Sequence, residues 1–343
     1  MSKNPGSLAT INDVAALAGV SISTVSRVVN GSAPVAEATS NKVRKAITEL
    51  NYYPRSAARG LASNKTRTIG LVLPEISGSY FSPLLRGIED GIRGTGYDLL
   101  VHSAVFHQTE KIYPSVRLGE HNTDGLIVFP QSMDLSELQR LQAKNFPVVM
   151  LHQATSCGFN FPLVSVENKS GAKKLIDHLI EVHSKRRIVY LSGPSGHDDS
   201  TWRECGYRQS LEDHHIKVDL RLIAYGGFSG EQAYSTMLNL LPDVQIDAVF
   251  AGDDDAAIGV YRAVNTLGYT IPDDIAVVGF DDTFYSRYVT PSLTTIRVPI
   301  EQVGQTAIRL LLNRINDISC EPTILLPTEL IIRESCGCKR SGA

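Results

Sequence analysis

The chain is poor in cysteine, methionine and tryptophan, with five, four and one in 343 residues. The cysteines, Cys157, Cys205, Cys320, Cys336 and Cys338, are odd in number and scattered. That excludes a complete disulfide framework and fits a reducing compartment. No apolar run reaches the ~18 residues that a membrane span needs. The N-terminus lacks the charged-then-apolar order of a secretory signal, so a cytoplasmic protein is expected. There is no P-loop and no Gly-x-Gly-x-x-Gly turn, and Ser195, between Gly193-Pro194 and Gly196, lacks nucleophile-elbow spacing. No catalytic constellation and no cofactor are expected. Cys336-Gly-Cys338 would need two further ligands to make a zinc site; it reads as free thiols, with no metal, and His214-His215 reads as a solvated helix end. The tail after Arg333 has no heptad pattern, so a helical tetramerisation appendage is not expected.

What is present is an ordinary globular composition, 43% hydrophobic and 20% charged, with an uneven charge. Residues 1–68 hold nine Lys/Arg against three acids, a balance of +6 within a chain of net charge −3, which leaves −9 for the rest. A basic head on an acidic body points to a polyanion that meets only the head. Residues 1–8 read as a disordered start. Within the head, Thr10–Asn30 reads as two short helices joined through Gly19. Thr10 caps the first helix with Asp13 three residues on, and Val14, Ala15 and Leu17 form its packed side. Ser21 caps the second helix, whose Val25, Val28 and Val29 face inward. Ile22, Ser23, Ser26 and Arg27 are left outward, as in a helix that enters the major groove. Arg27 has the fork to hold guanine O6 and N7, and Ile22 suits a thymine methyl. A third helix, Glu37 to Leu50, packs through Val43, Ile47 and Leu50 and carries Lys42, Arg44 and Lys45 toward phosphates. The plain alternative is an amphipathic helical hairpin. Asn51-Tyr52-Tyr53-Pro54 breaks the helix, and Ser56–Ser63 reads as a linker that is helical only with a partner.

From Thr68 the texture changes. Seven short apolar runs recur, at 69–73, 97–101, 125–129, 147–151, 187–191, 247–251 and 274–280, with helical patterns between most of them. Near-continuous apolar strands alternating with helices imply parallel sheets covered on both faces. Seven such runs suit two doubly wound lobes, whose ligands bind at the carboxyl ends of strands.

The stretches TINDVAALAGVSISTVSRVVNG, LNYYPRSAARGLAS, FSPLLRGIEDGIRGTGYDLLV, WRECGYRQSL, AVFAGDDDAAIGVYRAV, IPDDIAVVGFDD and PSLTTIRVP resemble the lactose/galactose repressor family of bacterial transcription regulators, over about Thr10 to Arg333. The resemblance implies an all-α helix-turn-helix head (9–54), a hinge helix (55–67), an α/β two-lobed body like periplasmic sugar-binding proteins (68–335) and a short tail (336–343). It implies homodimers on near-palindromic operator DNA. Arg27 would read a base, Ile22 and Ser23 would set operator preference, and Thr10, Ser21, Ser26 and Asn30 would hold the DNA backbone. Leu61 matches the family's minor-groove wedge, against the alternative of intramolecular packing.

The same resemblance implies an effector cleft that suits a polyol, with Arg203, Asp253, Asp281 and Phe228 on family contact positions and Ser77, Tyr80 and Phe81 in the first strand-end loop. Trp202 lines the cleft or packs within a lobe. Asp253 is alternatively a helix cap, and Arg203 alternatively a salt-bridge partner of Asp198 or Asp199. Two departures stand out: Gly-Ser-Tyr-Phe replaces the commoner Asn-Pro-Phe-Phe, and His152 stands where many relatives carry aspartate; it bonds an effector hydroxyl or, alternatively, is a satisfied surface histidine. The expectation is a DNA-binding regulator, a repressor, controlled by a sugar or sugar-like effector. The rivals are a sugar-binding or sugar-processing protein with an incidental head, and a DNA-binding regulator controlled by a protein corepressor.

Overall fold

The computed structural model describes residues 9–30, 33–52, 65–104, 118–153 and 159–339. The chain divides into two compact units at Arg67–Thr68. In the first, α1 (Ile11–Ala18) opens at Thr10, whose backbone N–H and hydroxyl both donate to Asp13 Oδ2 at 2.9 and 2.8 Å. Asp13 also sits in the first turn, where a negative charge favours the helix dipole. Gly19 closes the helix at φ 67°, a left-handed turn that suits glycine. α2 (Ile22–Asn30) opens at Ser21, whose Oγ accepts from Thr24 N–H at 3.2 Å. α3 (Glu37–Glu49) follows, and Val14, Ala15, Val25, Val43, Ala46 and Tyr52 close a small core. Leu17 does not join it. It is 47% exposed, because Val14 and Ala15 on the preceding turn of α1 already fill the face that meets α2 and α3.

The second unit holds two six-stranded sheets. The first lobe takes β1 (Thr68–Leu73), β2 (Asp98–Ser103), β3 (Gly125–Val128), β4 (Val148–Leu151), β5 (Leu163–Val166) and β11 (Thr323–Leu326), ordered β11-β5-β4-β3-β1-β2. All its pairings are parallel. The helices α4 (Phe81–Ile92), α5 (Leu135–Ala143) and α10 (Ile300–Ile315) belong to this lobe. The second lobe takes β6 (Ile188–Ser192), β7 (Ile223–Tyr225), β8 (Ala248–Ala251), β9 (Ala276–Asp281), β10 (Thr294–Arg297) and β12 (Glu329–Ile331), ordered β12-β10-β9-β8-β6-β7. Here β12 alone runs antiparallel. It carries α6 (Asn168–His183), α7 (Asp198–Asp213), α8 (Gly230–Leu240) and α9 (Asp254–Thr266).

The seven apolar runs match β1–β4, β6, β8 and β9, and β3, β4, β8 and β9 are buried along their whole length. The five shorter or more polar strands, β5, β7 and β10–β12, complete the sheets. The chain passes between lobes three times, from β5 to α6, β10 to α10 and β11 to β12. Neither lobe is therefore a continuous segment. Among the described residues no helix is long and apolar enough to cross a membrane.

Candidate effector cleft and DNA-reading face

In each sheet the strand order reverses once, between β1 and β3 in the first lobe and between β6 and β8 in the second. Loops leaving the carboxyl ends of strands beside such a reversal diverge and leave a crevice. The first lobe sends Tyr80 and Phe81 after β1, Phe129-Pro130-Gln131 after β3 and His152 after β4. The second sends His197 after β6, Phe228 after β7 and Asp253 after β8, while Asp281 ends β9. Between them lies a cavity of about 250 Å³, lined by Glu75, Tyr80, Phe81, Phe129, Gln131, His197, Asp199, Arg203, Phe228, Asp253, Asp255 and Asp281 among others.

Arg203, on the first turns of α7, is the hub. It is 3% exposed. Its Nε donates to Asn168 Oδ1 at 2.8 Å, its Nη1 to the Gly252 carbonyl at 2.6 Å and its Nη2 to Asp281 Oδ1 at 3.3 Å. Asp199 Oδ2 lies 3.7 Å from Nη2. The guanidinium stacks on Phe280, 3.9 Å from the ring centre, with Phe228 at 5.4 Å. The salt-bridge alternative for Arg203 thus holds for Asp199, and the planar fork serves four partners at once. Phe228 is held by a close fit: a Cβ on Gly193 would come within 2.3 Å of its ring.

Asp253 caps α9, its Oδ1 accepting from Ala256 N–H at 2.8 Å. It also lines the cavity, so the cap and cleft positions coincide in one residue. Burial raises its carboxyl to about 7. Burial likewise pushes Asp281 well above the usual carboxylate range, although Arg203 pulls against it. Asp199 goes the other way: burial opposes its charge, yet His152 and Arg203 hold it well below that range. His152, 2% exposed, shares a 2.6 Å hydrogen bond with the Tyr80 hydroxyl through Nε2. Its Nδ1 stands 3.0 Å from Asp199 Oδ2, at an angle outside that of a hydrogen bond. His152 is therefore a buried bridge between lobes, in place of the satisfied surface histidine that was its alternative.

Further polar contacts span the lobes. Ser79 Oγ donates to Asp255 Oδ1 at 2.7 Å, and Gln131 Nε2 to the Ser195 carbonyl at 3.0 Å. Gln153 Nε2 reaches the Gly196 carbonyl at 3.3 Å. His152, Phe228 and Asp281 all have left-handed φ, at 54°, 53° and 109°. Non-glycine residues tolerate that region poorly, and such strain gathers at ligand sites.

Three expected positions are not among the cavity-lining residues: His152, buried behind Tyr80 and Asp199, and Trp202 and Ser77. Trp202 is 52% exposed and is not among the cavity-lining residues, because the helical step from Arg203 turns it to the outer face of α7. Ser77 is exposed and donates to Glu75 Oε2 at 3.1 Å; its loop neighbours Gly78 and Tyr80 reach the cavity instead. Sequence reading missed Asn168, His197 and Asp255. His197 carried a weak signal, since it directly precedes the acidic first turn of α7. Burial, first, lowers its imidazole to about 4, and its Nδ1 has no hydrogen-bond partner.

On the head, Ile22, Ser23 and Arg27 are exposed on α2 and Ser26 is half-buried. Lys42, Arg44 and Lys45 are exposed on α3. The Ser21 hydroxyl lies 2.8 Å from Ser23 Oγ and 2.9 Å from Thr24 Oγ1. Asn30 ends α2; its side chain and Leu61 lie outside what the structure describes.

A helix-turn-helix unit followed by a two-lobed α/β body with a polar cleft defines a ligand-responsive DNA-binding regulator. Residues 10–55 match the family described as bacterial regulatory proteins, lacI family, and residues 176–336 match a periplasmic binding protein-like domain. Catabolite control protein A of Priestia megaterium is 31% identical over 332 residues, covering 95% of this chain and 98% of that protein. Among solved structures, a lac repressor dimer bound to operator and the anti-inducer ONPF is similar with TM-score 0.81 and 26% identity, covering 96% of this chain and 99% of that one. A complex of the transcriptional regulator CelR with cellobiose is similar with TM-score 0.71 and 29% identity, covering 95% and 99%. The chain belongs to the lacI family of bacterial regulatory proteins. It is a transcriptional regulator with a DNA-binding head and a periplasmic-binding-protein-like body.

Proposed function

We propose that this regulator binds a near-palindromic operator as a homodimer, and that a carbohydrate of single-ring size, held between the lobes, sets the strength of that grip. The cavity carries this reading. Its volume of about 250 Å³ lies just below the ~300–1,000 Å³ of sites for drug-sized ligands. Its wall joins a guanidinium, several carboxylates and an aromatic face. Carboxylates and the unpartnered His197 Nδ1 bond ring hydroxyls, and Phe228 covers the apolar C–H face. The relatives fit this reading in kind, one solved with cellobiose and one with ONPF and operator. The work of the cleft is binding rather than catalysis.

On the DNA, Arg27 reads a base edge, Ile22 and Ser23 tune operator preference, and Thr10, Ser21, Ser26 and Asn30 hold the backbone. Leu61 is the minor-groove wedge. The exposed aromatics Phe284, Tyr285 and Tyr288 give the body an apolar patch that a second copy would cover. A protein of this kind works in the bacterial cytoplasm, on the nucleoid when DNA-bound. Control follows from linkage: ligand and operator each favour one arrangement of the lobes, with a coupling of about 1–3 kcal/mol. The test is a thermal-shift screen of monosaccharides on the full chain, then a gel shift on DNA from its own promoter region with each hit. One hit that both stabilises the body and changes operator affinity supports the reading. A stabilising sugar with no effect on operator affinity overturns it.

A further inference from the structure

Away from the cleft, the end of the chain meets the far end of α6. The last strand gives way to a 3-10 turn at Glu334–Cys336, then Gly337 and Cys338. Opposite stand His178 and His183, the latter the last residue of α6. His178 Nε2 lies 3.5 Å from Cys336 Sγ and 3.7 Å from Cys338 Sγ. His183 Nε2 lies 3.3 Å from Cys338 Sγ. The four donor atoms all fall within 4.8 Å of one another.

These are the distances of a tetrahedral metal centre. With Zn–S of about 2.3 Å and Zn–N of about 2.0–2.1 Å, the N···S edge of the tetrahedron is about 3.5 Å. The three measured N···S separations bracket that value. Gly337 makes the arrangement possible. Its φ of 108° lies in the left-handed region, and a Cβ there would meet His183 Nδ1 at 3.1 Å. The turn therefore brings both sulfurs to one side with the imidazole lying against the backbone. Cys336 is 1% exposed, and Thr294 Oγ1 donates to its sulfur at 3.2 Å, an outer contact that favours a thiolate. His183 and Cys338 are only half-buried, which leaves a way in.

We propose that His178, His183, Cys336 and Cys338 form a Cys2His2 zinc site that fastens the C-terminal segment to α6. Two thiolates and two neutral imidazoles match the preference of zinc for a closed tetrahedral N/S set. Binding releases two thiol protons to solvent and leaves a centre with no net charge, which suits its burial. The pairing is invisible in the sequence, because about 155 residues separate His183 from Cys338.

The test uses the full chain, reduced and stripped of metal, titrated with cobalt(II) and then with zinc. The expected result is a saturable thiolate-to-cobalt charge-transfer band with tetrahedral d–d absorption, bleached by stoichiometric zinc, together with a higher Tm in zinc. Cys338→Ser and His183→Gln, both at half-buried positions, should each lower cobalt affinity by at least the ~10–100-fold that follows loss of an outer partner alone. Both should also abolish the zinc-dependent rise in Tm. Cobalt binding without a thiolate band overturns the proposal, and so does binding that both variants retain.

Discussion

Arg203→Met tests the electrostatics of the cleft directly. The guanidinium faces two buried carboxylates, Asp281 at 3.3 Å and Asp199 at 3.7 Å. Methionine fills much of the same space but leaves both carboxylates, together with Asn168 Oδ1 and the Gly252 carbonyl, without that partner. Removing one side of a buried ion pair costs about 3–5 kcal/mol. The cost must depend on pH. Asp281 is already pushed above the usual range by burial, and losing Arg203 pushes it further. A carboxyl whose folded pKa lies above its unfolded value of about 3.9 favours folding fully below that value and loses the contribution as pH rises toward the folded pKa, by about 1.4 kcal/mol per unit. The variant should therefore be about 3–5 kcal/mol less stable than the parent at pH 8, with a smaller deficit at pH 5.5. Trp202, the only tryptophan, lies on α7, so its emission in a urea titration reports unfolding of the body alone. A deficit that is equal at both pH values, or below about 1 kcal/mol at pH 8, would refute a buried charge hub centred on Arg203.

Arg27→Ala should cost about 1–3 kcal/mol of discrimination between operator and a mutated operator; retention of wild-type selectivity in a gel shift would remove the base-reading role. Lys42→Ala should lower affinity for all sequences alike and reduce the slope of log K against log salt by about 1, as read by fluorescence anisotropy. Gly193→Ala drives a methyl into the Phe228 ring, so it should destabilise the body by about 1–3 kcal/mol and weaken any sugar found in the thermal-shift screen; unchanged affinity would separate Phe228 from the ligand. In the parent, burial raises Asp253 to about 7 and Asp254 to about 8, so both hold protons in the fold that the unfolded chain has lost. Their stabilisation falls as pH rises from about 4 to about 8. His197, lowered to about 4, contributes above about 6.5 and loses it on acidification. Tm should consequently fall between pH 6.5 and 8.5, and Asp254→Asn should flatten that slope.

Much of the architecture was legible because local physics expresses it. Gly19, the capping residues Thr10 and Ser21 and the inward Val25 define the head through short-range geometry. The stretches 69–73, 125–128, 148–151, 248–251 and 276–280 are apolar throughout because both faces of a parallel sheet are covered. β10, Thr-Thr-Ile-Arg, escaped notice because its threonines are buried by partners distant in sequence: Thr295 donates to Asp254, and Thr294 accepts from the Arg333 N–H and contacts Cys336. Leu17 was misplaced because heptad-scale periodicity does not say how wide the buried stripe of a short helix is. Trp202 was misplaced for a related reason, since adjacency along a helix is separation around it.

Taken alone, the order of residues determined the two-part plan: a basic helical head, a doubly wound body and the family to which they belong. The head and the body follow from capping, periodicity and charge, all read within a few turns of chain, and the family follows from the resemblance of its motifs. Only the tertiary structure decided which polar groups meet. The chain crosses between lobes three times, and that brings His152 to Asp199, Ser79 to Asp255, and a histidine pair on α6 to the two cysteines near the chain's end. Those encounters depend on strand order and on the reversal within each sheet, a long-range consequence of packing that no local pattern carries.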